Sequence, residues 1–368
     1  MTKKNILFLN GTMHIGGAEN VIATLVRNID KEKFNILICH INQEGDVCGE
    51  LKAAGFQVIS LPKRNNKKAN YLSSLELRRV VKKHNIDIIH SHDLASFFDA
   101  TICRLITPKV RHIHTYHFGN YPYRPKRYLL MERMLWRIPD RLVAVGNDQR
   151  KRIKKTFGIP DNRIMTIWNG IGPVHKKEVG VIKKSVFSDR KVRIGSISTI
   201  TKQKGIGDLL KIIFEISKKR NDFELVIVGD GPLKNGLESM AKELGLEKFI
   251  TWLGWVPNAN ESILPELDIF VQSSHWEAMS IVILEAMAAE KAIVATAVGE
   301  NSEVLEDEIS GLIIPSGNIK QFAEKLEQLI DNRKLREDLG KEAGKRFLKY
   351  FTARKMVNEY ENLYQELN

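Results

Sequence analysis

Two carboxylates, a lysine and a histidine have the types and spacings from which chemistry could be built. In SSHWEAMSIVILEAMAAEKAIVAT, residues 273 to 296, Glu285 stands alone among Ile281, Val282, Ile283, Leu284, Ala286, Met287 and Ala288, with Glu277 just ahead of that apolar run. An ionised side chain in a segment that otherwise reads as buried costs on the order of 2 to 7 kcal/mol unless something hydrogen-bonds it. The polar partner that would offset this cost is missing from the segment itself. Ser280 is a natural N-cap, so a helix should begin near Ile281, with first-turn N–H groups that have no helical partner. An anion could dock on those amides, with Glu277 in the loop on one side and Glu285 about a turn further along.

Two more loops suit a phosphate. In SISTITKQKGIGDLL, residues 196 to 210, Lys204 and Gly205 directly precede an amphipathic helix; in VIVGDGPLKNGL, residues 226 to 237, a strand runs into Gly229, Gly231 and Pro232. Each is weak alone, because a Lys-Gly at a helix start is more often a solvated turn. GDGP lacks the third glycine of a dinucleotide fingerprint, and no such fingerprint follows the first strand either, where the loop is GTMHIGGAEN, which argues against a nicotinamide enzyme.

The elements that must position these loops alternate between strand and helix, the pattern of parallel sheets wrapped by helices. In the first half, β-rich runs are Ile6 to Leu9, Phe34 to Cys39, Val58 to Leu61, Ile86 to His90, Val110 to His114 and Arg141 to Val145. In the second they are Val192 to Ile197, Glu224 to Val228, Ile250 to Leu253, Ile269 to Gln272, Ile293 to Ala295 and Gly311 to Ile314, with helices notably over Leu233 to Leu244 and Ile281 to Ala289. Residues 171 to 191 show little periodicity and read as a linker. The tail from Ile319 is helical, and Thr352 is placed to cap a last helix with Met356, Tyr360 and Tyr364 on one stripe. The expected fold class is α/β, with two Rossmann-like, doubly wound domains facing across a cleft, 1–172 and 173–351, and a final helix, about 352–368, packing back on the first. Ligands in such folds lie beyond the carboxyl ends of the strands.

Composition narrows the classes further. The 368 residues are 43% apolar, enough to fill two cores. Cys39, Cys48 and Cys103 are odd in number and lack CxxC spacing, so neither a disulfide framework nor a zinc site is expected. The opening residues hold too short an apolar run for a signal peptide or a membrane span, and a cytoplasmic chain is expected. The net charge of +13 divides into +15 on residues 1–170 and −2 on the remainder. That excess is either a solvated basic surface or the footprint of an anionic partner, phospholipid headgroups or nucleic acid.

With these pieces in order, the chain resembles the GT-B glycosyltransferases, specifically the retaining enzymes of glycosyltransferase family 4, almost end to end. The E-x7-E element runs from Glu277 to Glu285; VIVGDGP, ATAVGENSEV, GGAEN at 16 to 20, DIIHSHD at 87 to 93, HTYHF at 114 to 118 and TIWNGI at 166 to 171 also have the family's look. The resemblance implies a UDP- or GDP-sugar donor held mainly by the second domain, with no metal and no organic cofactor. Glu285 would accept hydrogen bonds from the ribose, and Glu277 would face the transferred sugar. The amides near Ser280, Ile281 and Val282 would meet the diphosphate, with Lys204 neutralising its charge as the glycosidic bond breaks. The resemblance further places Gly229 in the donor site, sets Gly254 and Trp255 beside the base, and lets Gly16 and Gly17 approach the phosphates from the first domain. His117 would hydrogen-bond the sugar and shield an oxocarbenium-like transition state. His90, His92 and His114 read as core residues or as support for it.

One position departs from the family. The arginine usual five residues before the lysine is Thr199 here, with Lys202 the nearest stand-in. Losing a bidentate diphosphate partner costs roughly 1.5 to 3 kcal/mol. Trp168, where proline is common, is a milder change. The first-domain segment 117–141 interleaves Tyr121, Tyr123, Tyr128 and Trp136 with Arg124, Lys126, Arg127, Arg133 and Arg137. It is either a helix packed on its own sheet or a surface for anionic lipid on the inner face of the cell membrane. The expected function is therefore transfer of a hexose-type sugar to a cell-envelope polysaccharide or lipid-linked acceptor. The alternative is a catalytically weak sugar-nucleotide-binding partner of another transferase. A nucleic-acid binder would leave Glu285 and the second-half loops without a purpose.

Overall fold

The computed structural model describes residues 3–14, 16–61, 73–121, 123–174 and 191–367. Most of the expected linker, 175–190, lies outside the described residues. The chain divides into two compact units, Met1–Gly172 with Ala353–Asn368, and Pro173–Thr352.

Unit 1 is built on a parallel sheet of β1 (Lys4–Thr12), β2 (Phe34–Gln43), β3 (Gln57–Ser60), β4 (Ile88–Ser91), β5 (Arg111–Tyr116), β6 (Arg141–Ala144) and β7 (Ile164–Thr166). Its order is β3-β2-β1-β4-β5-β6-β7. Between the strands lie α1 (Gly17–Asn28), α2 (Asp46–Ala53), α3 (Ser73–Lys83), α4 (Leu94–Ile106), α5 (Lys126–Leu135) and α6 (Asn147–Phe157). Helices on both faces bury both sides of each central strand, so β1 carries the unbroken apolar run Ile6–Leu9 rather than an alternation. Helix α4 starts where Asp93 and Ser96 form a reciprocal capping box, the Asp93 carboxylate accepting from Ser96 N at 2.7 Å. The strand β7 was not among the expected six; three residues at a sheet edge are too few to show a period.

Unit 2 repeats the plan with β8 (Val192–Ile197), β9 (Phe223–Val228), β10 (Ile250–Gly254), β11 (Ile269–Gln272), β12 (Ala292–Thr296) and β13 (Leu312–Ile314), in the order β10-β9-β8-β11-β12-β13. Its helices are α7 (Ile206–Ser217), α8 (Lys234–Glu243), α9 (Ala259–Ser262), α10 (Ile281–Ala288), α11 (Asn301–Val304), α12 (Ile319–Asp331) and α13 (Arg333–Tyr350). In α7 the residues Ile206, Leu209, Leu210, Ile213 and Ile216 form one buried stripe. Helix α10 is apolar nearly all round because it is covered by β12 on one side and α13 on another.

The last helix, α14 (Ala353–Glu366), belongs to unit 1. Its stripe Met356, Tyr360 and Tyr364 is buried there, with the Tyr364 hydroxyl 2.7 Å from His90 Nδ1 and the Tyr360 hydroxyl 3.0 Å from Thr115 Oγ1. Lys4 Nζ donates to the carbonyls of Tyr364 and Leu367, which matches a cation to the negative end of the helix.

Candidate active site

Where the strand order of a doubly wound sheet reverses, the loops leaving two neighbouring strands turn to opposite faces and open a crevice at the carboxyl edge. In unit 2 the reversal lies between β8 and β11, so the loops over 198–205 and 273–280 form that crevice. Their close approach depends on glycine. Gly205 sits at φ +62, and a Cβ there would lie 2.1 Å from the Ser273 carbonyl oxygen. Gly229, at φ +135, would bring a Cβ to 1.8 Å from the Ser198 carbonyl oxygen. No side chain fits in either place.

These loops join Lys204 to Glu277. The Lys204 Nζ donates to Glu277 Oε1 at 2.7 Å, across 73 positions of sequence. The Ser274 hydroxyl donates to the same oxygen at 2.8 Å, and Gln203 Nε2 to Oε2 at 3.3 Å. Gln203 also donates to the Trp276 carbonyl, and the Ser273 hydroxyl to those of Lys204 and Gly205, so the pair is fixed from both loops. Glu277 is 6% exposed, and a buried ion pair of this kind holds only with such extra hydrogen bonds. Gln203 and Ser274 were not singled out by sequence; their adjacency to Lys204 and their i, i+3 spacing from Glu277 were the signals available.

Helix α10 begins at Ile281 with Ser280 in the N-cap position, but the Ser280 hydroxyl does not cap it. That hydroxyl accepts instead from Gln272 Nε2 at 2.7 Å, because the end of β11 places a buried amide beside it. The expected side-chain cap is thus corrected, and the first-turn amides at Ile281 and Val282 are left to other acceptors. Glu285 is half-buried, and burial pushes its carboxyl up to about 7. It does have a protein partner: Asn260 Nδ2 on α9 donates to Oε1 at 3.1 Å, which partly offsets that rise. The expectation that its partner comes from outside the chain is corrected to that extent.

The remaining expected positions are scattered around this edge or belong to unit 1. Gly229 N donates to the Gly254 carbonyl at 2.7 Å, so these two loops are coupled, and the neighbouring Trp255 is 58% exposed. Thr199 is exposed, as is Lys202. In unit 1 the reversal lies between β1 and β4. Gly16 caps and Gly17 opens α1, and the Gly11 amide donates to the Asp93 carboxylate at 3.0 Å, joining the ends of both strands. His117 directly follows β5, its Nε2 3.1 Å from His92 Nδ1, and burial draws its imidazole down to about 4. It is neutral at pH 7. Among the described residues no three His, Cys, Asp or Glu side chains form a metal-holding group.

Two Rossmann-like units with these strand orders define the GT-B class of glycosyltransferase folds. Two family models cover the chain between them: "Glycosyltransferase Family 4" over residues 15–173 and "Glycosyl transferases group 1" over residues 181–346. The chain belongs to the family 4 glycosyltransferases and is a glycosyltransferase. It is 25% identical to an uncharacterized glycosyltransferase of Methanocaldococcus jannaschii, over 76% of this chain and 75% of that protein. It is 24% identical to the Escherichia coli UDP-Gal:alpha-D-GlcNAc-diphosphoundecaprenol alpha-1,3-galactosyltransferase, over 96% and 94%. Among solved structures, Anabaena HepE in complex with UDP and glucose superposes with a TM-score of 0.87 at 18% identity, covering 99% of this chain and all of that one.

Proposed function

We propose that this glycosyltransferase moves a hexose-type sugar from a UDP- or GDP-linked donor to a cell-envelope polysaccharide or lipid-linked acceptor, with retention at the anomeric carbon. The observation that carries the reading is the Lys204–Glu277 pair at the strand reversal of unit 2, beside the uncapped start of α10. The amides of Ile281 and Val282 receive the diphosphate, and Lys204 neutralises the charge that grows on it as the glycosidic bond breaks. Glu277, held by Ser274 and Gln203, accepts hydrogen bonds from the sugar hydroxyls, and Glu285 from the ribose. Gly229, Gly254 and Trp255 line the nucleotide, Gly16 and Gly17 admit the phosphates to the backbone of unit 1, and His117 hydrogen-bonds the sugar. The acceptor hydroxyl attacks the anomeric carbon on the face the diphosphate leaves, and a departing phosphate oxygen takes its proton. No metal or organic cofactor enters this scheme.

The exposed Thr199 favours a second reading, a sugar-nucleotide-binding partner of another transferase, since no guanidinium stands there. Incubation with a panel of nucleotide sugars, with and without lipid extract, separates the two. Release of nucleoside diphosphate supports turnover, binding without release supports the partner role, and absence of both removes both readings.

An anionic membrane surface completes the proposal. On α5, Leu130 and Met134 are about 60% exposed and stand among exposed Lys126, Arg127 and Arg133, a face suited to headgroup depth. Tyr121 and Trp136, which the sequence grouped with them, are instead buried in the core of unit 1. No helix among the described residues is long and apolar enough to cross a membrane. Flotation with anionic liposomes tests the attachment, and absence of salt-sensitive association removes it.

A further inference from the structure

Unit 1 contains a row of buried imidazoles, and two of them, His92 and His112, each have one ring nitrogen with no hydrogen-bond partner among the described residues, but of these only His92 meets another imidazole at its second nitrogen. His90 is satisfied at both nitrogens, by the Tyr364 hydroxyl and by Thr115 Oγ1 at 2.8 Å. His112 Nε2 and His114 Nδ1 share the Ser91 hydroxyl, at 2.8 and 2.9 Å. His92 Nδ1 meets His117 Nε2, while His92 Nε2, sealed from solvent, has no hydrogen-bond partner among the described residues.

A hydrogen bond between two neutral imidazoles needs one protonated and one bare nitrogen, so the pair has two arrangements. If His117 donated, His92 would carry its proton on Nε2 and bury an orphaned N–H in a ring cluster with Phe8 and His90, whose centroids lie 5.9 and 4.0 Å from its own. If His92 donates, its Nε2 is a bare lone pair. Orphaned buried N–H groups are rarer than under-satisfied acceptors, so the second arrangement holds. Protonating both nitrogens is excluded by the same burial, which keeps His92 well below the ordinary imidazole range.

We propose that His92 is a positioning residue that donates Nδ1–H to His117 Nε2 and thereby locks His117 in the tautomer with its proton on Nδ1. An unconstrained neutral imidazole favours the proton on Nε2, so this lock reverses the default. It leaves His117 with a single N–H, on Nδ1, as a donor to an oxygen of the sugar and not a base. This rests on the proposed role of His117 at the donor sugar, but the tautomer itself can be read without turnover.

The test is long-range proton–nitrogen NMR of full-length protein with labelled histidine at pH 7. The expected wild-type spectrum has His117 protonated on Nδ1 and His92 also on Nδ1; protonation of His117 on Nε2 overturns the proposal whatever the activity. His92→Leu should return His117 to the Nε2–H form, while His92→Asn, whose amide N–H falls near the place of Nδ1, should preserve the Nδ1–H form. If a donor is found, His92→Leu should lower kcat about fivefold, the loss of one well-placed hydrogen bond, with KM little changed and kcat restored in His92→Asn. A locked tautomer with no donor turned over retains the lock and counts against the proposed reaction alone.

Discussion

Beside the strand reversal of unit 1, the carboxyl-terminal parts of β4 and β5 and the positions just after them carry neutral rings, His90, His92, His114 and His117, held by hydroxyls and by one another. At the equivalent reversal of unit 2 the same geometry carries an ion pair, a free helix start and a half-buried carboxyl. One topology thus presents two electrostatic characters. An uncharged, donor-bearing edge suits a sugar and an electron-poor transition state, while a charged edge suits a diphosphate. The difference also assigns each unit its own sensitivity to protons.

The largest expected effect is on unit 1. Burial holds His112 at about 3 and His117 at about 4, and keeps His90, His92 and His114 well below the ordinary value, with neighbouring rings adding to the depression. In the unfolded chain these five titrate near 6.5, so the unfolded state takes up protons that the native state refuses. Stability is therefore fully present above about pH 6.5 and falls as pH drops towards 4, by up to ~1.4 kcal/mol per pH unit for each ring. Thermal unfolding between pH 7 and 5, followed by hydrogen exchange, should show unit 1 losing protection first and more than two protons taken up. Equal acid sensitivity in the two units would break the contrast.

The second effect is on the charged edge. Glu277→Gln removes the carboxylate that faces the sugar and holds Lys204, and should lower turnover at least tenfold, ~1.4 kcal/mol in the barrier. Because it also leaves a lysine without its buried partner, the melting temperature has to be measured beside the rate. A near wild-type rate would mean that the pair is structural only.

The sequence made the fold legible where buried strands announce themselves as short apolar or β-rich runs between turns, as in Ile6 to Leu9 or Glu224 to Val228. It failed at β7, where three residues leave no room for a period. Within the site, Glu285 was legible as a lone acid in an apolar run, and the Ser280 position was right for a helix start. What the chain order hides is long-range pairing. Asn260, 25 positions away, reaches Glu285, and Gln272 captures the Ser280 hydroxyl because a strand end happens to face it. The tautomer of His117 likewise depends on a ring from another strand exit.

The smallest effect sharpens the contrast most, because burial in unit 2 raises the proton affinity of a carboxyl where in unit 1 it lowers that of the imidazoles. With its carboxyl raised to about 7, Glu285 is mostly protonated at pH 6 and mostly ionised at pH 8. Ribose hydroxyls donate better to the ionised form, so donor binding must expel a proton below pH 7 and need not above it. Affinity for a nucleotide sugar, whose diphosphate is a diester with no proton to lose in this range, should therefore rise about tenfold from pH 6 to 8 and then level off. Glu285→Gln should flatten that dependence, and Glu285→Ala should chiefly weaken nucleotide binding. Asn260→Ala, which removes the one hydrogen bond lowering the carboxyl's proton affinity, should move the rise to higher pH. Calorimetric titrations at several pH values read all three variants; affinity that falls as pH rises would mean that Glu285 meets its ligand as a neutral acid.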